Sequence, residues 1–441
     1  MTSPRASRLR SAAIDLSPLR RPDYRRLWFG NSVSVIGTQL TQVAVLLQVY
    51  AITKSSFAVG LVGLFGFVGL VGVGLYGGSV ADAVDRRRLA LMTSTGLAVL
   101  SVVLVVQAVL DLRSVSLLYA VILLQAALFG IDSPARQAMI PRLLSARELP
   151  AANALTQISM NAGFTIGPLM AGVLVALNHG SYWLPYGIDA LTFGAALYAV
   201  WRLPAMPPEG GGTKAGVDSV VEGFRFLGSQ PVLLMSFLVD IVAMVFGMPR
   251  ALFPAIAGGF YGGGAAVVGL LTAAIAVGAV VPVLLSGLMR NVHRHGLAVI
   301  VSIVVWGGSI AAFGFTRQLW LGLLCLAVAG AADAVSAVFR STILQEATPD
   351  ALRGRLGGVF IVVVAGGPRL GDVESGSVAA LTSTEFAVVS GGVACIAGVL
   401  ALAAAVPAFA RFDARKLHGE ESTAQAGDEA GELAAEEGTP R

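Results

Sequence analysis

The run GGPRLGDVESG at residues 366–376 decides how this chain is read, because it sets Arg369, Asp372 and Glu374 inside the apolar stretch 356–381. Without those three residues the stretch has the length and composition of a membrane-spanning helix. Each charge at a bilayer centre costs about 2.5 to 3.5 kcal/mol on insertion scales, so three together require partners, a water-filled cavity or a task. A pathway for transport supplies all three.

Composition leads to the same class. The 441 residues are 56% hydrophobic and only 13% charged, with a mean hydropathy of +0.78, which is more apolar surface than a soluble core of that length buries. Windows able to cross about 30 Å of hydrocarbon recur at 27–52, 57–81, 89–110, 115–140, 149–177 and 183–203, then at 231–256, 265–289, 296–315, 319–344, 356–381 and 386–410. They lack the alternation over about ten residues that marks barrel strands, and any other spanning backbone must be helical. The expected fold is an all-α polytopic membrane protein with twelve transmembrane helices.

Lysine and arginine are retained on the cytoplasmic side. With the amino terminus inside, all 30 basic residues fall on that side except Lys54, Arg113, Arg250 and Arg317, which face out, and Arg369, which lies within the membrane. Both termini are therefore expected in the cytoplasm. Residues 1–26 form an arginine-rich segment, but the span after it is too long for a signal peptide's apolar core and no small-residue cleavage site stands out, so the first span is expected to remain. Cys325 and Cys395 fall in spans and the four histidines are scattered, so neither a disulfide framework nor a metal or other cofactor is expected. The pI of about 9.3 reflects the cytoplasmic arginines, with anionic lipid headgroups rather than nucleic acid as the counter-charge.

The two halves echo one another at an offset of about 200 residues. GGSVADAVDRRRLALM after the second span has a weaker counterpart in SGLMRNVHRHGLAVI after the eighth, with Gly78 matching Gly287 and Asp82 matching Asn291. PARQAMIPRLLSAREL is shadowed by VFRSTILQEATPDALRGR, where Arg136 matches Arg340, and Pro168 of the fifth span matches Pro368 of the eleventh. Two six-helix bundles follow, at 27–203 and 231–410. Between them, residues 204–230 begin with the flexible PAMPPEGGGTKAG and end in a stripe of Val217, Val220, Val221, Phe224 and Leu227 at helical spacing. This linker is expected to carry an amphipathic helix along the cytoplasmic face. The acid-rich tail at 411–441 has the composition of a disordered segment.

On GGSVADAVDRRR after span 2, GFRFL in the linker, ATPDALRGRLGG after span 10 and the opening DYRRLWFGNSVSVIG, the chain resembles the major facilitator superfamily of transporters over about residues 20 to 412. Within it the chain is similar to the subgroup of the enterobactin exporter and actinobacterial multidrug efflux pumps. The resemblance implies a monomeric secondary transporter of the bacterial plasma membrane, not an enzyme, with a small-molecule substrate and protons as its partners. The superfamily's loop motif runs Gly, three residues, Asp, a basic residue, any residue, Gly, then basic residues. Gly78, Asp82, Arg86 and Arg87 match it, while Ala83 and Asp85 depart from it. In the family this loop is a gate: Asp82 would cap the start of span 11 and pair with Arg136, holding the outward-facing state. A plainer reading leaves these charges only to fix topology. Gly163, Gly167, Pro168 and Gly172 of span 5 are similar to the Gly-Pro signature of antiporters, with Ala171 where a Gly is usual. Small residues there permit close helix approach and Pro removes one backbone hydrogen bond.

Five ionisable residues are candidates for proton coupling: Arg369, Asp372 and Glu374 in span 11, Asp240 in span 7 and Asp333 in span 10. Arg369 and Asp372 stand three apart and are expected to pair on one face, with Glu374 roughly 160° around from Asp372 on a regular helix. Gly366, Gly367, Pro368, Gly371 and Gly376 favour local unwinding. Withdrawing a carboxylate from water favours its protonated form, as a proton carrier requires. Asp132 and Asp189 are expected near the membrane faces, where water accounts for them. Gln39 and Gln42 in span 1, with Gln157 and Asn161 in span 5, are candidates for the substrate cavity; Gln48 is a further amide in span 1.

No GxxxxGK[ST] loop is present, and GGGTKAG lacks its spacing, so an ATP-driven pump with its own nucleotide site is excluded. No HExxH, GxSxG or Cys/His cluster supports an intramembrane enzyme. The reading is a proton-driven exporter of a siderophore, drug or lipophilic metabolite by alternating access. The alternatives are a proton-coupled importer of a small solute and, outside transport, a receptor or scaffold on the same fold.

Overall fold

Over the described residues the apolar windows fold as helices, with a break in the seventh, and three of the helix starts carry side-chain caps. The computed structural model describes residues 15–207, 225–284, 289, 292–346 and 350–413, with the backbone alone described over 74–83, 283–284 and 350–362. The first six helices are α1 (Pro22–Thr53), α2 (Ser56–Ala83), α3 (Arg86–Val109), α4 (Val115–Leu143), α5 (Leu149–Leu177) and α6 (Trp183–Trp201). The second six are α7 (Pro231–Phe246), α8 (Ala265–Leu284), α9 (His295–Phe315), α10 (Leu319–Glu346), α11 (Asp350–Leu381) and α12 (Thr384–Ala405). Side chains of Asp85, Ser114 and Ser383 accept from backbone N–H groups of the first turns of α3, α4 and α12, satisfying donors that a helix start leaves open. Lys54 closes α1 in a left-handed conformation.

Among the described residues, ten helical segments are long and apolar enough to cross a membrane, with α7 and its continuation taken as one. The others are α6, short at 19 residues, and α11, which carries the buried charges. Chain direction alternates, so one end of the molecule holds the α1–α2, α3–α4 and similar odd-to-even turns, here the loop face. The other end holds the even-to-odd connections, here the terminal face.

Two expectations fail. Span 7 is not one helix: α7 stops at Phe246, Gly247-Met248-Pro249 intervenes, and the chain resumes as a 3-10 turn (Arg250–Leu252) and a short helix (Phe253–Gly259). Pro249 can donate no backbone hydrogen bond to continue the helix. Span 11, by contrast, shows no unwinding. α11 runs unbroken from Asp350 to Leu381 with Pro368 inside it, because its glycines are used for helix contact instead.

Within each half the helices pack on neighbours of that half, and between halves the packing is carried by α2 on α11 and α5 on α8. These contacts require glycine. A Cβ at Gly63 would stand 2.6 Å from the Arg369 carbonyl oxygen, and one at Gly376 2.6 Å from that of Ser56. On the other side, a Cβ at Gly172 would stand 2.6 Å from the Ala265 carbonyl oxygen, and one at Gly269 2.5 Å from that of Pro168. All four lie in the halves of their helices nearest the loop face. There the apolar cores also merge: Leu40, Val43 and Leu47 of α1 with Ala171 and Val175 of α5 join the core of the second half. Ala251 from the 3-10 turn enters the core of the first. The molecule is thus closed at its loop face.

The stripe at Val217, Val220, Val221 and Phe224 and the tail at 414–441 lie outside the described residues. Leu227, within the helical residues 225–229, is buried in the second-half core.

Candidate transport site

Asp333 and Arg340 are seven residues apart on α10, two turns, and therefore share a face. Ser336, between them on that face, is 1% exposed. From α7, Asp240 meets the same arginine: Arg340 forms an ion pair with Asp240 through one terminal nitrogen and approaches Asp333 at 3.5 Å through the other. The two carboxylates differ in surroundings. Asp240 and Arg340 are 3% and 7% exposed, whereas the Asp333 side chain is 38% exposed although it sits halfway along a span. A charged side chain partly open at that depth would need a water-filled space beside it, since lipid would exact the full insertion penalty. One guanidinium thus serves a buried acid and a more open one, and the three together carry a net negative charge that one proton would cancel.

The first half has a related arrangement where the repeat places it. Arg136 on α4, the counterpart of Arg340, donates to Asp132 at 2.5 Å and to the Ser94 hydroxyl at 2.6 Å, and Thr93 donates to Asp132 at 2.6 Å. Asp132 is therefore a buried, paired residue and not a wetted one. Asp189 also departs from expectation. It is 1% exposed, accepts from Ser101 of α3 at 2.7 Å, and has α1 pressed against it at Gly37.

Span 11 does not make the expected pair. Arg369 donates to the Ala365 carbonyl at 2.6 Å and has no carboxylate partner among the described residues. Asp372, 2% exposed, pairs instead with Arg250 at 2.8 Å, the first residue of the 3-10 turn after the α7 break. Arg250, expected to face out, is folded inward, and the Gly-Met-Pro before it is the sequence signal for that turn. Glu374 has one carboxylate oxygen buried with no hydrogen-bond partner among the described residues. Arg250 and Asp372 meet where Gly60 and Gly63 of α2 press on the same turn of α11, in the half of that helix nearest the loop face.

The loop after α2 is built differently from the family pattern, for a visible reason. Asp85, in the place of the motif's second Gly, caps α3 through the Arg88 N–H at 2.9 Å and accepts from the Met206 N–H at 2.8 Å. It thereby fastens the segment leaving α6 to the start of α3. Arg86 donates to the Ala138 carbonyl of α4, and Arg87 to the carbonyls of Val200 and Trp201 at the end of α6. Both arginines bind within the first half. Gly78 and Asp82 lie in the last turns of α2, and their side-chain surroundings fall outside the described residues. In the adjoining loop Glu148 accepts from the backbone N–H and hydroxyl of Ser145 at 3.0 and 2.8 Å. Those two bonds hold its carboxyl below the usual carboxylate range, with Arg21 assisting.

The Gly-Pro signature divides between two partners. Gly163 and Gly167 pack on α1 at Val35, Ile36 and Gln39, while Pro168 and Gly172 pack on α8. Gln39, Gln42 and Asn161 are partly buried and Gln157 is exposed. None of these four side-chain amides is hydrogen-bonded among the described residues. Gln48 is otherwise engaged: it exchanges two hydrogen bonds with Gln107 of α3 and accepts from the Tyr186 hydroxyl of α6. It is an interhelical tie.

Comparisons with known proteins agree with this architecture. Residues 13–431 match the family model described as transmembrane secretion effector, of the major facilitator superfamily. The chain is 32% identical to the enterobactin exporter EntS of Citrobacter koseri, covering 88% of this chain and 93% of that one. It is 31% identical to EntS of Shigella boydii over the same shares. Among solved structures, the nucleoside transporter NupG superposes with a TM-score of 0.65 at 16% identity, covering 86% of this chain and 98% of that one. A POT family transporter in complex with a thioalcohol-conjugated peptide gives 0.70 at 12%, covering 87% and 96%. These likenesses join a twelve-helix fold to a secondary transporter with no enzymatic class, and the chain belongs to the major facilitator superfamily, in its transmembrane secretion effector family.

Proposed function

We propose that this transporter exports a small molecule by alternating access, driven by the proton gradient through Asp333, Arg340 and Asp240. The observation that carries the reading is the sharing of Arg340 between a buried and a partly exposed carboxylate. Protonating Asp333 leaves Arg340 to Asp240 alone, and losing that proton draws Arg340 back towards α10, so proton binding biases how α7 sits on α10. Asp372 is assigned to the loop-face seal rather than to coupling. Glu374 and Arg369 remain secondary coupling candidates.

The conformation, closed at the loop face, corresponds to an inward-facing state if both termini are cytoplasmic, as the arginine distribution favours. In that state the family's terminal-face latch would be open. Arg136, engaged with Asp132 and Ser94, fits that state, and pairing with Asp82 belongs to the opposite one. The unbonded amides of Gln39, Gln42, Gln157 and Asn161 would meet the substrate from α1 and α5. Relatives named as enterobactin exporters favour a siderophore over a drug or another lipophilic metabolite. The membrane would be the bacterial plasma membrane, and the working unit a monomer.

The test is uphill enterobactin accumulation in inverted vesicles with an imposed pH gradient, with and without an uncoupler. Accumulation that collapses with the gradient supports the reading. Equal accumulation with the gradient dissipated would reject proton coupling.

A further inference from the structure

Asp189 stands among hydroxyl groups with no cation to answer it. It is 1% exposed and meets α1 at Gly37, halfway along that helix, so it lies deep in the span. Its helix, α6, packs chiefly on α1 and α3. No Lys, Arg or His occurs in α1 between Arg26 and Lys54, in α3 after Arg88, in α5 or in α6. The cation that α4 brings against α3, Arg136, is engaged by Asp132 and Ser94. A buried carboxylate with neutral neighbours on every packed helix lacks the partner that such a charge requires.

The neighbours are oxygen atoms, and two of them are left over. Ser101 of α3 donates to Asp189 Oδ2 at 2.7 Å. Oδ1 is buried with no hydrogen-bond partner among the described residues, and so is the Thr41 hydroxyl of α1, although Thr41 faces the same carboxylate. Thr192 donates to the Asp189 carbonyl at 2.7 Å, which leaves its own lone pairs unused. The convergence is visible at Gly37, where a Cβ would stand 2.7 Å from Oδ1 and would also strike Thr192 Oγ1. We propose that Asp189, Thr41, Ser101 and Thr192 bind a sodium ion between α1, α3 and α6. Carboxylate and hydroxyl oxygens suit a hard cation, and a hydroxyl that donates one hydrogen bond can still ligate through its lone pairs. The single negative charge selects a monovalent ion, since a divalent one would leave excess charge in an apolar span. The ion supplies the partner that Oδ1 and Thr41 Oγ1 both lack. No sequence motif announces the site, because its oxygens come from three helices.

The full-length transporter, purified in detergent without sodium, is melted in choline chloride or in NaCl at one ionic strength and one pH. Sodium should raise the melting temperature progressively with concentration, as a ligand of the folded state does, and choline should not. Asp189→Asn should abolish the response. Thr41→Val keeps the shape without the hydroxyl and decides the matter if Asp189→Asn does not fold; it should need about tenfold more sodium for the same rise. Asp333→Asn, at the transport site, should respond as the wild type does. Equal melting in sodium and choline, a wild-type response in Asp189→Asn or Thr41→Val, or loss of the response in Asp333→Asn would each overturn the assignment. Melting that ignores sodium but varies with pH, with that variation lost in Asp189→Asn, would overturn it in favour of a proton on the same carboxylate.

Discussion

Arg340 holds two carboxylates in unlike surroundings, and the difference separates stability from coupling at the scale of single residues. Removing the buried partner leaves the buried cation only the more distant Asp333, so Asp240→Ala should cost up to about 3 to 5 kcal/mol, read as a fall in melting temperature of the detergent-solubilised protein. Asp240→Asn with Arg340→Gln should recover most of that loss, because an absent pair costs less than a broken one. Asp333→Asn removes a partly exposed carboxylate and should change stability by about 1 kcal/mol or less. A melting temperature for Asp240→Ala equal to wild type would mean that Asp333 alone satisfies Arg340. Asp240 and Asp333 are legible in the sequence because a carboxylate in a span stands out. Their partner is not, since Arg340 draws attention there only as the repeat mate of Arg136. The sequence places Asp333 and Arg340 two turns apart, but nothing in it says that α7 lies against that face.

At the scale of elements, sequence and structure exchange two roles. Glycines and a proline made α11 the helix expected to unwind, yet α2 and α7 pack so closely on it that those glycines serve contact and the helix stays whole. The break falls in α7, where Gly247 and Pro249 bracket a single residue, and it delivers Arg250 to Asp372. If this pair helps to seal the loop face, Arg250→Gln or Asp372→Asn should increase the population open at that face several-fold, a coupling of the size typical for two-state proteins. Spin-label distances between Gly264→Cys and Ser55→Cys would report the change, and an unchanged distribution would remove the pair from the gate. Gly63→Ala makes an independent case. Its Cβ would be forced against the Arg369 carbonyl, at a cost of about 1 to 3 kcal/mol borne only while that face is closed, so the same distances should lengthen.

For the whole molecule, the twelve-helix architecture was readable because apolar length and arginine placement are summed over many residues, and errors of a few residues at each end do not alter the count. Contacts between the halves were not readable, because they depend on which glycine faces which helix across the interface. Orientation remains an expectation from the arginine distribution and is open to direct labelling. On a background with Cys325 and Cys395 replaced by Ala, Ala146→Cys between α4 and α5 should be shielded from an impermeant thiol reagent in intact cells. Gly264→Cys before α8 should label, and the reverse pattern would invert the gates assigned above.

The most direct measurement of the central claim is gradient-driven enterobactin accumulation in inverted vesicles by wild type, Asp333→Asn, and the double variant Asp372→Asn, Glu374→Gln, each beside downhill substrate exchange without a gradient. Asp333→Asn should lose uphill accumulation by about tenfold or more while keeping downhill exchange, and the double variant should retain a gradient response. Uphill accumulation at the wild-type level in Asp333→Asn, with loss in the double variant, would contradict the account and return the proton to α11.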